Sequence, residues 1–313
     1  MKHGLMSGIL WGLDTVILGI GLALDPYVGT AEALAFASIV GSFLHDAFCA
    51  LWLFGYMAFR RRLGDTVAAL KTRSGKVVIV GALLGGPVGM TGYVVAIANL
   101  GAAYTAIISA FYPAVGAFLA FLLLKERMRK GQIAALFVGL FGVMAMGLLS
   151  AGDSQVTNAS LGLLGALLTV VGWGSEAVLC AWGMKDDSVD NETALQIRET
   201  TSALVYGIVV LPLLGAWAFA AQAIPSLATG YICLAGLAGA ASYLFYYKGI
   251  AVIGASRAMA LNISYSAWAV VFGLFLLGSI PTVETVLCCV AILAGTILAA
   301  CDWNELLGRS SAL

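Results

Sequence analysis

The stretch KVVIVGALLGGPVGMTGYVVAIANLGAAYTAIISAFYPAVGAFLAFLLLK, residues 76–125, decides the fold. Between Lys76 and Lys125 no side chain carries a charge. A helix crossing the hydrocarbon core of a bilayer needs about 20 mostly apolar residues, so there is room for two crossings. Asn99-Leu100-Gly101 divides the stretch into helices expected over 76–98 and 102–124, joined by a very short turn. Such helices have no polar face to turn towards water.

Outward from this pair the pattern repeats. Of 313 residues, 61% are apolar and only 10% charged, and the mean hydropathy is +1.00. A soluble domain is usually about 45–50% apolar and about 25% charged, so soluble, disordered and coiled-coil classes fall together. Charge gaps and turn residues give ten spans: 4–24, 31–59, 76–98, 102–124, 131–151, 160–184, 193–220, 227–250, 255–278 and 281–302. The first span lacks a small-residue cleavage site before Asp25-Pro26 and reads as a retained helix rather than a signal peptide. Net charge is zero, which gives no reason to expect nucleic acid. The cysteines Cys49, Cys180, Cys233, Cys288, Cys289 and Cys301 lie in apolar stretches without a CxxC pair, so neither a disulfide framework nor a zinc site is expected.

With the N-terminus inside, alternate connections fall on alternate sides, and all 16 Lys and Arg residues belong to the inner segments. They are Lys2, Arg60, Arg61, Arg62, Lys71, Arg73, Lys76, Lys125, Arg127, Arg129, Lys130, Lys185, Arg198, Lys248, Arg257 and Arg309. A missed helix would scatter these charges across both sides. The positive-inside bias therefore supports the span count and predicts that both termini are cytoplasmic.

The chain also matches itself. A shift of 153 residues lays Tyr93 on Tyr246, Gly101 on Gly254 and Tyr112 on Tyr265. The same shift lays His45-Asp46 on Arg198-Glu199. A shift of 162 lays Trp11-Gly12-Leu13-Asp14 on Trp173-Gly174-Ser175-Glu176. The residues that coincide are rare in apolar helices. Five spans is an odd number, so two such units, 1–152 and 153–313, must cross the membrane with opposite topology. Inverted repeats place a substrate site near the midplane, where the units meet. The expected fold is thus an all-α polytopic membrane protein, ten helices in two inverted five-helix repeats.

The stretch from Leu100-Gly101-Ala102 through Phe111-Tyr112-Pro113-Ala114 to Leu124-Lys125-Glu126-Arg127 resembles the hallmark of the drug/metabolite transporter superfamily, the EamA-like proteins. Gly85-Gly86-Pro87, Trp173-Gly174-Ser175-Glu176, Ile197-Arg198, Ser242-Tyr243-Leu244 and Asn262-Ile263-Ser264-Tyr265 carry a closer resemblance to bacterial choline permeases of the LicB type. The resemblance spans the whole chain and implies a secondary transporter in the bacterial inner membrane with choline or a related small quaternary ammonium as substrate. It does not extend to an acid at Asp14. Transport direction stays open: export of amino acids or cationic drugs is the alternative within the same superfamily. So does the choice between monomer and homodimer.

Ionisable residues inside spans are costly and tend to face a bundle interior or a water-filled cavity. They are Asp14, His45, Asp46, Glu176, Arg198 and Glu199. For His45, Asp46, Arg198 and Glu199 the spacing favours structural or gating pairs, with Arg198 seeking a partner from another span because neighbours in sequence do not share a helix face. Asp14 joins them as a coupling candidate. Glu176 stands three residues after Trp173 on one face, as Asp14 does after Trp11. Tyr243, Tyr246 and Tyr247 form an aromatic stripe, while Tyr112 and Tyr265 occupy matching places in the repeat. Aromatic faces around a carboxylate suit a cation without N–H groups, each ring contributing about 0.5–2 kcal/mol. The expected substrate-binding set is Trp11, Tyr112, Trp173, Glu176, Tyr243, Tyr246 and Tyr265. Trp52, Trp217 and Trp303, near span ends, suit an interfacial belt instead. Gly85-Gly86-Pro87 suits close helix approach and a mid-span kink. No cofactor or metal is implied. With His45 the sole candidate base and neither GxSxG nor HExxH present, the chain does not read as an enzyme, and without a P-loop it is no primary pump.

Overall fold

The computed structural model describes residues 1–149, 156–186 and 188–301, with residues 102 and 103 as backbone only. Ten helices among the described residues are long and apolar enough to cross a membrane. They are α1 (Lys2–Leu22), α2 (Ala31–Phe59), α3 (Arg73–Leu100), α4 (Tyr104–Leu124) and α5 (Lys130–Leu149). The second set is α6 (Ala159–Gly183), α7 (Asn191–Leu214), α8 (Leu227–Ile253), α9 (Ala255–Leu277) and α10 (Val283–Ala300). Backbone amides at a helix start lack intrahelical partners, and side chains cap several of them. Thr30 accepts from the Ala33 amide at 3.0 Å, Asn158 from Leu161 at 3.1 Å and Asp190 from Thr193 at 2.9 Å.

Packing follows the sequence repeat. The α1–α8 pair is matched by α6–α3, α1–α9 by α6–α4, and α2–α8 by α7–α3. The α2–α7 and α5–α10 pairs map onto themselves, which places the pseudo-twofold between their members. Each set of five therefore packs chiefly through the other.

Breaks in the helices follow the same relation. Between Ser109 and Tyr112 the chain makes a non-helical turn within α4, and between Asn262 and Tyr265 it does so within α9. Pro113 follows the first break and Ser266 occupies the matching place after the second, so proline alone does not explain the break. In α3 the turn Leu84–Met90 widens to a π-helix around Pro87. The Tyr206 hydroxyl donates to the Gly86 carbonyl there (3.3 Å) and Thr169 donates to that of Gly89 (3.0 Å). Side chains of α7 and α6 thus take up the polar groups that the widened turn exposes.

One face carries the chain start and most basic residues. There Arg62 grips Asp190 at 2.7 Å and Glu192 at 2.5 Å, while Glu126 accepts from the Ala255 and Ser256 amides at 2.9 Å each. Burial works against the Asp190 carboxylate, but the Thr193 and Arg62 hydrogen bonds outweigh it and hold that group below the usual carboxylate range.

Two expectations need correcting. The seventh crossing ends at Leu214, not 220, because Gly215 takes a left-handed conformation (φ 68°) and Trp217–Ala223 forms a separate short helix. Residues 63–69 also form a short helix on the basic face rather than a plain connection. Arg198, at the inner end of the seventh span, lies within α7 and is 5% exposed. Trp303, Arg309, the C-terminus and the division at 152/153 lie outside the described residues.

Candidate functional site

A cavity of about 180 Å³ lies at the middle of the bundle. Eleven of the twelve residues singled out from sequence line it: Trp11, Asp14, His45, Asp46, Tyr112, Trp173, Glu176, Arg198, Tyr243, Tyr246 and Tyr265. They come from seven helices, α1, α2, α4, α6, α7, α8 and α9, and are gathered by the crossings rather than by any one segment. Glu199 does not line the cavity. It is fully buried, with its Oε2 2.7 Å from Arg198 Nη1.

The rings fall into two groups related by the repeat. Trp11 stacks on Tyr265 at 5.2 Å and leans on Tyr243 at 5.4 Å. Its counterpart Trp173 meets Tyr112, counterpart of Tyr265, edge-on at 5.8 Å and leans on Tyr93 at 5.3 Å. Tyr243 also lies under the Arg198 guanidinium at 4.9 Å. The expected stripe on α8 divides: Tyr243 and Tyr246 line the cavity, whereas Tyr247 lies outside its lining with its hydroxyl 3.3 Å from Cys180 Sγ and 3.4 Å from Glu176 Oε1.

The charges obey the same relation. Asp14 Oδ1 lies 3.0 Å from His45 Nε2, and Glu176 Oε1 accepts from Arg198 Nε at 2.7 Å. Under the two shifts Asp14 corresponds to Glu176 and His45 to Arg198, so one carboxylate–cation pair has been built twice. Asp46 sits between the pairs, 3.5 Å from His45 Nδ1 and 3.7 Å from Arg198 Nη1, and accepts from Ser202 Oγ at 2.5 Å. Arg198 thus meets carboxylates from two other spans, Glu176 and Asp46, and, against expectation, also approaches its sequence neighbour Glu199. That approach misses hydrogen-bond geometry, leaving Arg198 Nη1 and both Glu199 oxygens without a hydrogen bond.

Counted over the lining, three carboxylates oppose one guanidinium, so the cavity is formally −2 with His45 neutral and −1 with it protonated. A site with net negative charge and π faces favours a cation. Among the described residues no three His, Cys, Asp or Glu side chains converge as metal ligands.

Sequence reasoning missed Tyr93, although the shift of 153 pairs it with Tyr246 and it packs on Trp173. It also read Gly85 and Gly86 as purely structural. Both line the cavity, and a Cβ on Gly85 would fall 1.6 Å from Glu176 Oε2. Trp52 and Trp217 lie outside it, each half-exposed with its indole N–H bound to a carbonyl, Cys233 at 3.1 Å and Gly207 at 2.9 Å.

Ten crossings interlocked as two repeats around a midplane cavity define a multi-pass membrane protein of the inverted-repeat transporter class. The chain belongs to the EamA-like transporter family, whose model matches residues 3–148 and again 160–301. It is a membrane transporter and not an enzyme. It is 28% identical over 298 residues to Protein LicB of Haemophilus influenzae, a match covering 94% of this chain and 95% of that protein. A solved crystal structure shares the fold at 15% identity with a TM-score of 0.68, covering 100% of this chain and 98% of the other.

Proposed function

We propose that this transporter imports choline or a closely related small quaternary ammonium across the cytoplasmic membrane of a bacterium. The basic face is cytoplasmic, and the halves 1–152 and 153–313 move against each other to expose the cavity to each side in turn. The observation that carries the reading is the lining itself: Trp and Tyr faces together with three carboxylates against one guanidinium. A trimethylammonium group cannot donate hydrogen bonds, so ring faces and net negative charge are the partners available to it. An inside-negative membrane drives such a cation inward by about 2.3 kcal/mol per 100 mV, which is enough to accumulate it without another ion.

The test is uptake of radiolabelled choline by proteoliposomes carrying an imposed inside-negative potential. Accumulation that collapses with the potential and is lost in Glu176→Gln supports import through this cavity. Choline that neither binds nor enters sinks the reading. Neutral aromatic amino acids or bulky cationic drugs binding better than choline, with efflux from loaded vesicles, would put the superfamily's export activity in its place.

A further inference from the structure

A second cavity of about 310 Å³ adjoins the first. Tyr112, Trp173 and Tyr265 line both, so three rings form the partition between them. The lining of the second is completed by Tyr93, Ser109, Ser266 and apolar side chains. Among the described residues that line it there is no carboxylate, guanidinium, ammonium or imidazole. Its position follows from the helices that supply it. Tyr93 stands in the later part of α3, Val143 and Gly147 near the end of α5, and Ala106 near the start of α4. These segments lie in the half of the bundle away from the basic face. The opposite half is packed by Leu124, Leu195, Ile250, Met259 and their neighbours and is clamped through Glu126 and Arg62.

From this arrangement we propose that the second cavity is a separate, weaker station for the quaternary ammonium, occupied before the central one. The proposal rests on the central cavity being a quaternary-ammonium site. An aromatic ring presents its negative quadrupole on both faces, so the partition rings can attract a cation on the outer side as well as on the inner. Tyr93 adds a ring that the central cavity does not use. Without a carboxylate the outer station lacks the charge term, and a cation there is held less tightly and released readily. The excess negative charge of the central lining lies beyond the shared rings, so it attracts a cation in the inner cavity more strongly than one in the outer. The sequence of stations therefore runs downhill from rings alone to rings with carboxylates.

Two stations sharing one partition should accept a single molecule with a trimethylammonium group at each end. The experiment measures competition against choline, at equilibrium in the purified transporter, by a graded series of bis-trimethylammonium alkanes. Each is compared with the mono-trimethylammonium alkane of equal carbon count. One chain length should bind about tenfold tighter than its control, because the second head group is tethered beside its station. Tyr93→Leu, which keeps apolar bulk and removes the ring, should abolish that gain. Val143→Trp, which fills the outer cavity, should abolish it as well. A series in which no length exceeds its control, or a gain that survives both substitutions, overturns the outer station while the central reading stands. Choline failing to bind the unaltered transporter would remove both, so the two failures are told apart by one assay.

Discussion

Glu176 and Arg198 face each other at 2.7 Å across α6 and α7, and the pseudo-twofold repeats the arrangement as Asp14 and His45 at 3.0 Å across α1 and α2. The cavity thus holds one pair built on a guanidinium and one built on an imidazole. Removing one member of a buried pair strands the other, at a cost of about 3–5 kcal/mol. Arg198→Gln should accordingly lower the unfolding temperature in detergent sharply, whereas Arg198→Gln with Glu176→Gln should recover much of the loss. If the double variant is as unstable as the sum of the singles, the two side chains are not coupled as the geometry implies.

His45 and Glu176 should act on choline binding in opposite directions. His45 faces Asp14 from α1 and Asp46 on its own helix, with the Cys49 thiol near its ring and Gly239 of α8 against it. An imidazolium serves both carboxylates with a donor, but it adds a positive charge to the cavity that awaits the cation. His45→Gln, which keeps a donor and removes that charge, should leave choline affinity equal or raise it, whereas Glu176→Gln should lower it about tenfold. A loss in His45→Gln as large as that in Glu176→Gln, measured by equilibrium binding, would reverse the assignment.

How the charges pair was hidden in the sequence for a physical reason. The ten crossings were legible because lipid demands long apolar runs, and the matching of Trp11-x-x-Asp14 with Trp173-x-x-Glu176 exposed the repeat. That the acids and rings converge was legible too, since ionisable groups have few other places inside a membrane. Which acid meets which base depends on the packing of α6 against α3 and on where α7 lies along α2, and neither leaves a periodic trace. Tyr247 looked equivalent to Tyr243 because residues four apart share a helix face. Only the position of α6 shows that its hydroxyl is directed at Cys180 and the Glu176 carboxylate.

Selectivity should follow methylation. A primary ammonium leaving water for ring faces loses hydrogen bonds that the rings do not replace. Choline should outcompete ethanolamine by about tenfold or more, equivalent to about 1–2 kcal/mol. Equal displacement of labelled choline by both amines would remove the aromatic-cage argument.

The tryptophans separate lining from belt. Trp173→Ala and Trp11→Ala should each weaken choline binding by about 1–2 kcal/mol, the loss of one desolvated cation–π contact, and Trp173→Phe should be milder. Trp52→Ala and Trp217→Ala should leave affinity unchanged, since both rings lie outside the cavity and are half-exposed along the helix surface. Comparable losses at all four positions in an equilibrium binding assay would show that the effect is on folding, not on the site.

Gly85 offers a test that leaves every charged group in place. The Glu176 carboxylate lies directly over this glycine, and an added methyl would meet Oε2 at 1.6 Å, Cδ at 2.3 Å and Cβ at 2.8 Å. The first two contacts could be relieved by swinging the carboxylate away from Arg198. The third requires α3 and α6 to part, so the methyl is felt even after the side chain rotates. Gly85→Ala should therefore reproduce the affinity loss of Glu176→Gln and add a loss of thermal stability. Gly19→Ala, where an added methyl meets nothing within 4 Å, should be neutral or slightly stabilising through the better helix propensity of alanine. Choline affinities measured for the three variants settle the matter. Normal binding by Gly85→Ala would mean that Glu176 need not stay where the structure holds it, and the ion pair would then be a packing feature rather than part of the cation site.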